Sequence, residues 1–123
     1  FTEIVLITDD DEPFDHGQRE ELLESGMKLR VSKDFQKELP RLNVIYQNAI
    51  LWTGDGFESI GQKFRLDRKS PLKEDAIILH PLARGAELSK QLDKTPHNWY
   101  FAQARGAVFV RMALLATLLK IFV

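Results

Sequence analysis

Three short segments of this 123-residue chain carry groups whose types and spacing could do chemistry. The first, Asp9-Asp10-Asp11-Glu12, clusters carboxylates of the kind that hold a hard cation such as Mg²⁺. Its plainer reading is a solvated loop whose charges favour the N-terminus of a following helix. That reading is preferred, because hard-cation sites usually draw further ligands or phosphates from elsewhere. The second, Thr53-Gly54-Asp55-Gly56-Phe57-Glu58-Ser59-Ile60-Gly61, has bare backbone that could approach an anion. Its spacing is not G-x-G-x-x-G, so a loop entering a short helix is the better reading. The third is His80-Pro81-Leu82-Ala83-Arg84-Gly85. His80 there is either a hydrogen-bonded structural residue or a catalyst. Arg84 either grips an anion with its planar fork or pairs with Glu87. His16 and His97 sit at helix starts and nothing marks them as ligands. With no cysteine, disulfides, thiolate metal sites and cysteine catalysis are excluded.

The elements that must position these groups alternate between strand and helix patterns. Ile4-Val5-Leu6-Ile7 is a short apolar run that suits a strand covered on both faces. Asp15-His16-Gly17-Gln18 has N-cap-to-N3 spacing for a helix running to Glu24, with Gly26 as its stop. Met27-Lys28-Leu29-Arg30-Val31 reads as a second strand, and residues 35–39 as a helical turn ended by Pro40. Leu42-Asn43-Val44-Ile45-Tyr46 and Ala76-Ile77-Ile78-Leu79 are the third and fourth strands. The spacing then predicts a long helix capped by Thr95, with Pro96 at its first position. Trp99, Phe101, Val108, Met112, Leu115 and Leu119 supply its bulk, and its polar residues share no single face. Alternation of this kind predicts an α/β fold with a parallel sheet, whose ligands lie at the carboxyl ends of strands.

Bulk properties narrow the function classes. The chain is long enough for one domain, and 44% hydrophobic with 28% charged residues is a globular balance. A formal net charge of -1 gives no electrostatic reason for nucleic acid or an anionic membrane surface as partner. Residues 107–123 are nearly all apolar, yet Arg111 and Lys120 interrupt them and they fall short of the ~20 residues a membrane span needs. A buried helix is the preferred reading. The chain opens on Phe1 and closes on Ile121-Phe122-Val123, which reads as an excerpt from something longer.

The order of motifs in the C-terminal half carries a resemblance. Ile78-Leu79-His80-Pro81-Leu82-Ala83-Arg84, then Glu87, then Asp93-Lys94-Thr95-Pro96-His97 and Trp99-Tyr100-Phe101, resembles aspartate carbamoyltransferases. That family carries H-P-L-P-R-x-x-E, then D-K-T-x-x-x-x-Y-F-x-Q-A, then a helix rich in alanine and leucine. Gln103-Ala104 and the run from Val110 to Leu115 continue the match, and Asn43-Val44-Ile45-Tyr46 is similar to the family's D-V-I-Y strand.

The resemblance implies a Rossmann-like parallel sheet with flanking helices, the incomplete second domain of a two-domain carbamoyltransferase. Residues 1–97 would be a partial amino-acid (aspartate)-binding domain. Residues 98–123 would form a C-terminal helix packing on a first domain not present here. The implied reaction moves the carbamoyl group of carbamoyl phosphate to aspartate or another amino acid, as in pyrimidine biosynthesis. No metal or organic cofactor is implied. Partners would be the small-molecule substrates, with neither nucleic acid nor membrane, in a cytoplasmic homotrimer or larger assembly. His80, Leu82, Ala83 and Arg84 would be substrate-binding, and catalytic residues are not identified. Ala49 and Leu51 stand where the family's T-R-x-Q places the arginine and glutamine that bind aspartate. Hydrogen bonds to charged groups are worth about 1.5–3 kcal/mol each, so losing that arginine should weaken aspartate binding at least about tenfold. Ala83 replaces a proline that follows its leucine in a cis bond. A cis bond before alanine costs about 2.5–4 kcal/mol, so Leu82–Ala83 is expected to be trans. A non-catalytic relative, kept as a structural or assembly subunit, is the alternative that these two departures support. A Mg²⁺-binding phosphoryl-transfer or receiver-like domain built on residues 9–12 ranks below both.

Overall fold

The computed structural model describes residues 2–49 and 62–119. Leu51 and the glycine-rich stretch from Thr53 to Gly61 lie outside the described residues. The chain divides into two compact units, Phe1–Leu39 and Pro40–Val123.

In the first unit, β1 (Glu3–Ile7) and β2 (Lys28–Ser32) pair in parallel, with Glu3 opposite Lys28 and Ile7 opposite Ser32. Parallel neighbours need a crossover, and α1 (Gln18–Glu24) lies on it. Gly17 enters the helix at φ 84°, a left-handed conformation that suits a residue without Cβ. Ahead of it the Asp15 N–H donates to Gln18 Oε1 at 3.0 Å, but Asp15 is not the N-cap that its spacing predicts: Gly17 holds that position, without a side-chain cap, and Gln18 is the first helical residue. The helix stops as expected at Gly26, whose φ is 77° and whose N–H donates to the Leu23 carbonyl. β1 is not covered on both faces, contrary to expectation: none of its residues is fully buried, and neither is any of β2. Only α1 and the short α2 (Phe35–Glu38) accompany them in this unit, and α1 buries no residue. Asp34 caps α2 by accepting from the Lys37 N–H at 3.1 Å. Glu38, 4% exposed, takes both arms of Arg30 at 2.6 and 2.7 Å. That two-point contact offsets the cost of burying its charge.

A 3-10 turn, Leu39–Arg41, incorporates Pro40. In the second unit β3 (Val44–Tyr46) pairs in parallel with β4 (Ile77–Leu79). Within each pair the strands are parallel as expected, but among the described residues they form two two-stranded sheets rather than one. Ile45 and Ile78 face each other at the centre of the second pair, both buried. Leu66, Ala76, Leu88, Leu92 and Tyr100 complete this core. The chain then returns beside β4: the Ile78 N–H donates to the His97 carbonyl at 2.8 Å, and the Trp99 N–H to the Ile78 carbonyl at 3.2 Å.

The last helix, α3 (Tyr100–Leu118), begins five residues after Thr95. Thr95 does not cap it. It closes the preceding 3-10 helix, Lys90–Lys94, with its hydroxyl donating to the Leu92 carbonyl at 2.8 Å. The expected start failed because the Thr-Pro signal is local, whereas His97 and Trp99 are bonded to Ile78 of β4. Tyr100 alone of α3 is buried. Val108, Phe109, Val110, Met112, Leu114, Leu115 and Leu118 are all more than half exposed. Length and composition alone would also let this 19-residue helix cross a membrane.

Candidate functional site

β3 and β4 are parallel neighbours, so the segments leaving their carboxyl ends emerge at the same edge of the sheet. The segment after β3 holds Ala49, which is exposed; Gln47, just ahead of it, is buried and its N–H donates to the Leu79 carbonyl at 3.0 Å. The segment after β4 is the loop from His80 to Glu87. Ala49 of the expected amino-acid pocket and residues 80–84 of the expected substrate loop lie in segments that leave the same edge of this sheet. Leu51, the other residue of the expected pocket, is outside the described residues.

His80 is fully buried, and its backbone N–H and both ring nitrogens are engaged within the chain. Its N–H donates to Gln103 Oε1 at 2.9 Å. Its Nδ1 accepts the Leu82 N–H at 2.9 Å, and its Nε2 lies 3.1 Å from Glu87 Oε1. A backbone N–H can only donate, so Nδ1 carries a lone pair. The ring proton therefore sits on Nε2 and points to Glu87. Burial holds the imidazole below its ordinary value, outweighing the opposite pull of Glu87, and the Arg84 charge lowers it further. Glu87 is likewise fully buried, and its Oε1 also accepts the Gly85 N–H at 2.7 Å. Its Oε2 has no hydrogen-bond partner among the described residues.

The Leu82–Ala83 bond is cis, which corrects the expectation of trans. The expectation weighed residue type alone. In the structure the loop is tied on both sides of that bond, at the Leu82 N–H by His80 and at the Gly85 N–H by Glu87. Leu82 has a φ of 53°. Pro81 and Ala83 are exposed on the outside of the loop, with Leu82 and Arg84 half-buried.

Arg84 does not pair with Glu87, whose Oε1 is committed to His80 and Gly85. Its two terminal nitrogens grip the Asp93 carboxylate, Nη2 to Oδ2 at 2.7 Å. The Tyr100 hydroxyl donates to Asp93 Oδ1 at 2.6 Å, and the guanidinium lies 5.7 Å from the Tyr100 and Phe101 ring centroids. The Arg84 hydrogen bonds hold the Asp93 carboxyl down at about 2. Burial and the neighbouring Asp93 push the Tyr100 phenol up. Asp93, Tyr100 and Gln103 were visible only as markers of the resemblance. Nothing in their spacing predicted that they would converge on Arg84 and His80.

The other candidate segments do less. At the acidic run, Asp11 pairs with Lys33, while Thr8 Oγ1 and Asp10 Oδ1 accept from the N–H groups of Asp10 and Glu12. Among the described residues no three His, Asp or Glu side chains converge as metal ligands would. His97 donates from Nδ1–H to the Ala76 carbonyl at 2.7 Å, a contact that fastens the returning segment beside β4.

Comparison with known proteins agrees with this geometry. The family described as aspartate/ornithine carbamoyltransferase, Asp/Orn binding domain, matches residues 5–118. The aspartate carbamoyltransferase catalytic subunit of Vibrio cholerae is 35% identical over 110 residues, which are 82% of this chain and 34% of the relative. That of Alkaliphilus oremlandii is 30% identical over 124 residues, 95% of this chain and 38% of the relative. The chain thus spans little more than a third of the length of these relatives. Among solved structures, the phosphate complex of aspartate transcarbamoylase from Trypanosoma cruzi superposes with a TM-score of 0.78 at 24% identity, covering 93% of this chain and 40% of that one. The putative aspartate carbamoyltransferase of Leishmania major gives 0.72 at 23% identity, covering 93% and 38%. The chain belongs to the aspartate/ornithine carbamoyltransferase family and corresponds to its Asp/Orn-binding domain.

Proposed function

We propose that the full-length protein carrying this chain transfers the carbamoyl group of carbamoyl phosphate to the amino group of an amino acid, and that this chain supplies the amino-acid side of the site. The observation that carries the reading is the meeting of the His80–Arg84 loop and the Ala49 segment at one sheet edge, in a chain of this family. Its curated relatives bear the name aspartate carbamoyltransferase catalytic subunit, and a T. cruzi neighbour is described in complex with carbamoyl phosphate and aspartate.

In such a transfer the amine attacks the carbamoyl carbon, a C–N bond forms, the C–O bond to phosphate breaks, and the amine loses a proton. Neutral and cationic donors and oriented backbone groups stabilise the charge that develops. The carbonyl of Leu82, ahead of the exposed Ala83, would face the carbamoyl nitrogen. Arg84 is already saturated at two of its nitrogens by Asp93, so it shapes the loop and contributes positive potential rather than a free fork. His80 is buried and acts from behind the loop. Residues 98–123 would pack on the first domain of a two-domain subunit, which accounts for the bare apolar surface of α3. A cytoplasmic trimer or larger assembly serving pyrimidine biosynthesis completes the reading.

The test is the purified full-length protein with labelled carbamoyl phosphate and a panel of amino acids. Carbamoylated product from at least one acceptor is expected, and none from any would overturn the proposal. Ala49 stands where the resemblance has a carboxylate-binding arginine. Ala49→Arg should therefore lower KM for aspartate by about tenfold or more. The same residue is the observation that favours a non-catalytic subunit. If that alternative holds, neither the wild type nor Ala49→Arg yields product.

A further inference from the structure

Glu87 is completely buried, yet in the transfer outlined above it touches no substrate. Its two oxygens are used unequally. Oε1 takes the Gly85 N–H at 2.7 Å and the Nε2–H of His80 at 3.1 Å, while Oε2 is buried with no partner among the described residues. A carboxylate retained only for stability would satisfy both oxygens, and an apolar side chain of similar size would avoid the cost of the empty one. What the arrangement does achieve is geometric. Through His80, whose Nδ1 accepts the Leu82 N–H at 2.9 Å, one oxygen anchors the peptide that precedes Leu82. Directly, the same oxygen anchors the peptide that precedes Gly85. The Leu82 carbonyl is suspended between two anchored peptide groups.

We infer that Glu87 is a positioning residue for the Leu82 carbonyl, acting through His80. By accepting from Nε2–H it fixes the tautomer whose Nδ1 can receive the Leu82 N–H. With the Gly85 contact it sets the span from which that carbonyl is aimed. The inference deepens the carbamoyltransferase reading and rests on it for the identity of what the carbonyl meets.

The first measurement needs no variant. Nitrogen-15 NMR of the full-length protein at neutral pH should show the His80 ring neutral and protonated at Nε2. A ring protonated at Nδ1, or an imidazolium, overturns the inference. Glu87→Leu then removes both hydrogen bonds, whereas Glu87→Gln keeps an acceptor oxygen for each. Expected is a fall in kcat of about tenfold or more for Glu87→Leu, from misaimed substrate contacts, with Glu87→Gln close to wild type. Leu88→Ala, a buried change next door, controls for stability: it should lower Tm without lowering kcat per folded molecule. Wild-type kcat in folded Glu87→Leu, or equal losses in Glu87→Gln and Glu87→Leu, overturns the inference. If Glu87→Leu does not fold, the wild-type tautomer and the Glu87→Gln kinetics decide. A wild type that turns over no acceptor sinks the transferase reading instead. The Leu82 amide resonance then separates the two: its shift on Glu87→Leu supports the positioning role, and its retention removes it.

Discussion

Asp93 receives both arms of Arg84 and the Tyr100 hydroxyl, and those donors hold its carboxyl at about 2 against a usual 3.8. A carboxyl depressed in the folded state adds stability that is fully present above its unfolded value. That stability is lost as pH falls toward the folded one. The side chain is 28% exposed, so solvent screens part of the effect. Asp93→Asn is expected to cost about 1–2 kcal/mol at neutral pH, with the deficit closing between about pH 4 and 2. Urea denaturation of the full-length protein across that range checks it, and a deficit flat with pH overturns it. His80 has the same sign: its ring is held below the ordinary histidine value by burial. Its contribution is complete above about pH 6.5 and declines below it. At this scale the sequence was only half legible. It offered Arg84 an anion or Glu87, the acid three residues away. The 3-10 helix Lys90–Lys94 brings Asp93 to Arg84 instead, and a turn of that kind leaves no periodic signal.

Among the elements, β4 and α3 are joined by one side chain whose role the sequence did not announce. Gln103, on the first turn of α3, accepts the His80 N–H at 2.9 Å just where β4 ends. Without it that N–H would be an orphan donor beside a buried ring. Gln103→Leu is expected to destabilise by about 1–3 kcal/mol and to raise hydrogen exchange at the His80 amide more than at Ile45. Equal protection at both amides in the variant would refute this link. The elements themselves were largely legible, since apolar runs and glycine stops mark β1, α1 and β4 through local physics. The start of α3 was not. Thr95-Pro96 satisfies every local rule for a helix start, yet backbone bonds tie His97 and Trp99 to Ile78 of β4, and the helix begins only after them. Tertiary pairing overrode a capping signal worth only about 1 kcal/mol.

For the chain as a whole, burial is uneven. Of the nine buried hydrophobic residues among those described, Phe35 and Leu39 belong to the first unit; Ile45, Leu66, Ala76, Ile78, Leu88, Leu92 and Tyr100 belong to the second. A two-stranded sheet with half-exposed strands is marginal in water by itself. The second unit has a core, but α3 extends from it with apolar residues from Val108 to Leu119 largely uncovered. Contiguous apolar surface of that kind calls for a partner surface. Residues 1–123 expressed alone are therefore expected to bind a hydrophobic dye and to self-associate, with amides of β1 and β2 exchanging faster than those of β3 and β4. Val108→Lys with Leu115→Glu should reduce both dye binding and association, because charge on the bare helix removes the surface responsible. The same double change in the full-length protein should do the opposite and lower its Tm, since there the helix is expected to be covered. A dye-silent, monomeric, cooperatively melting 123-residue species would overturn the argument, as would a full-length protein indifferent to the two charges.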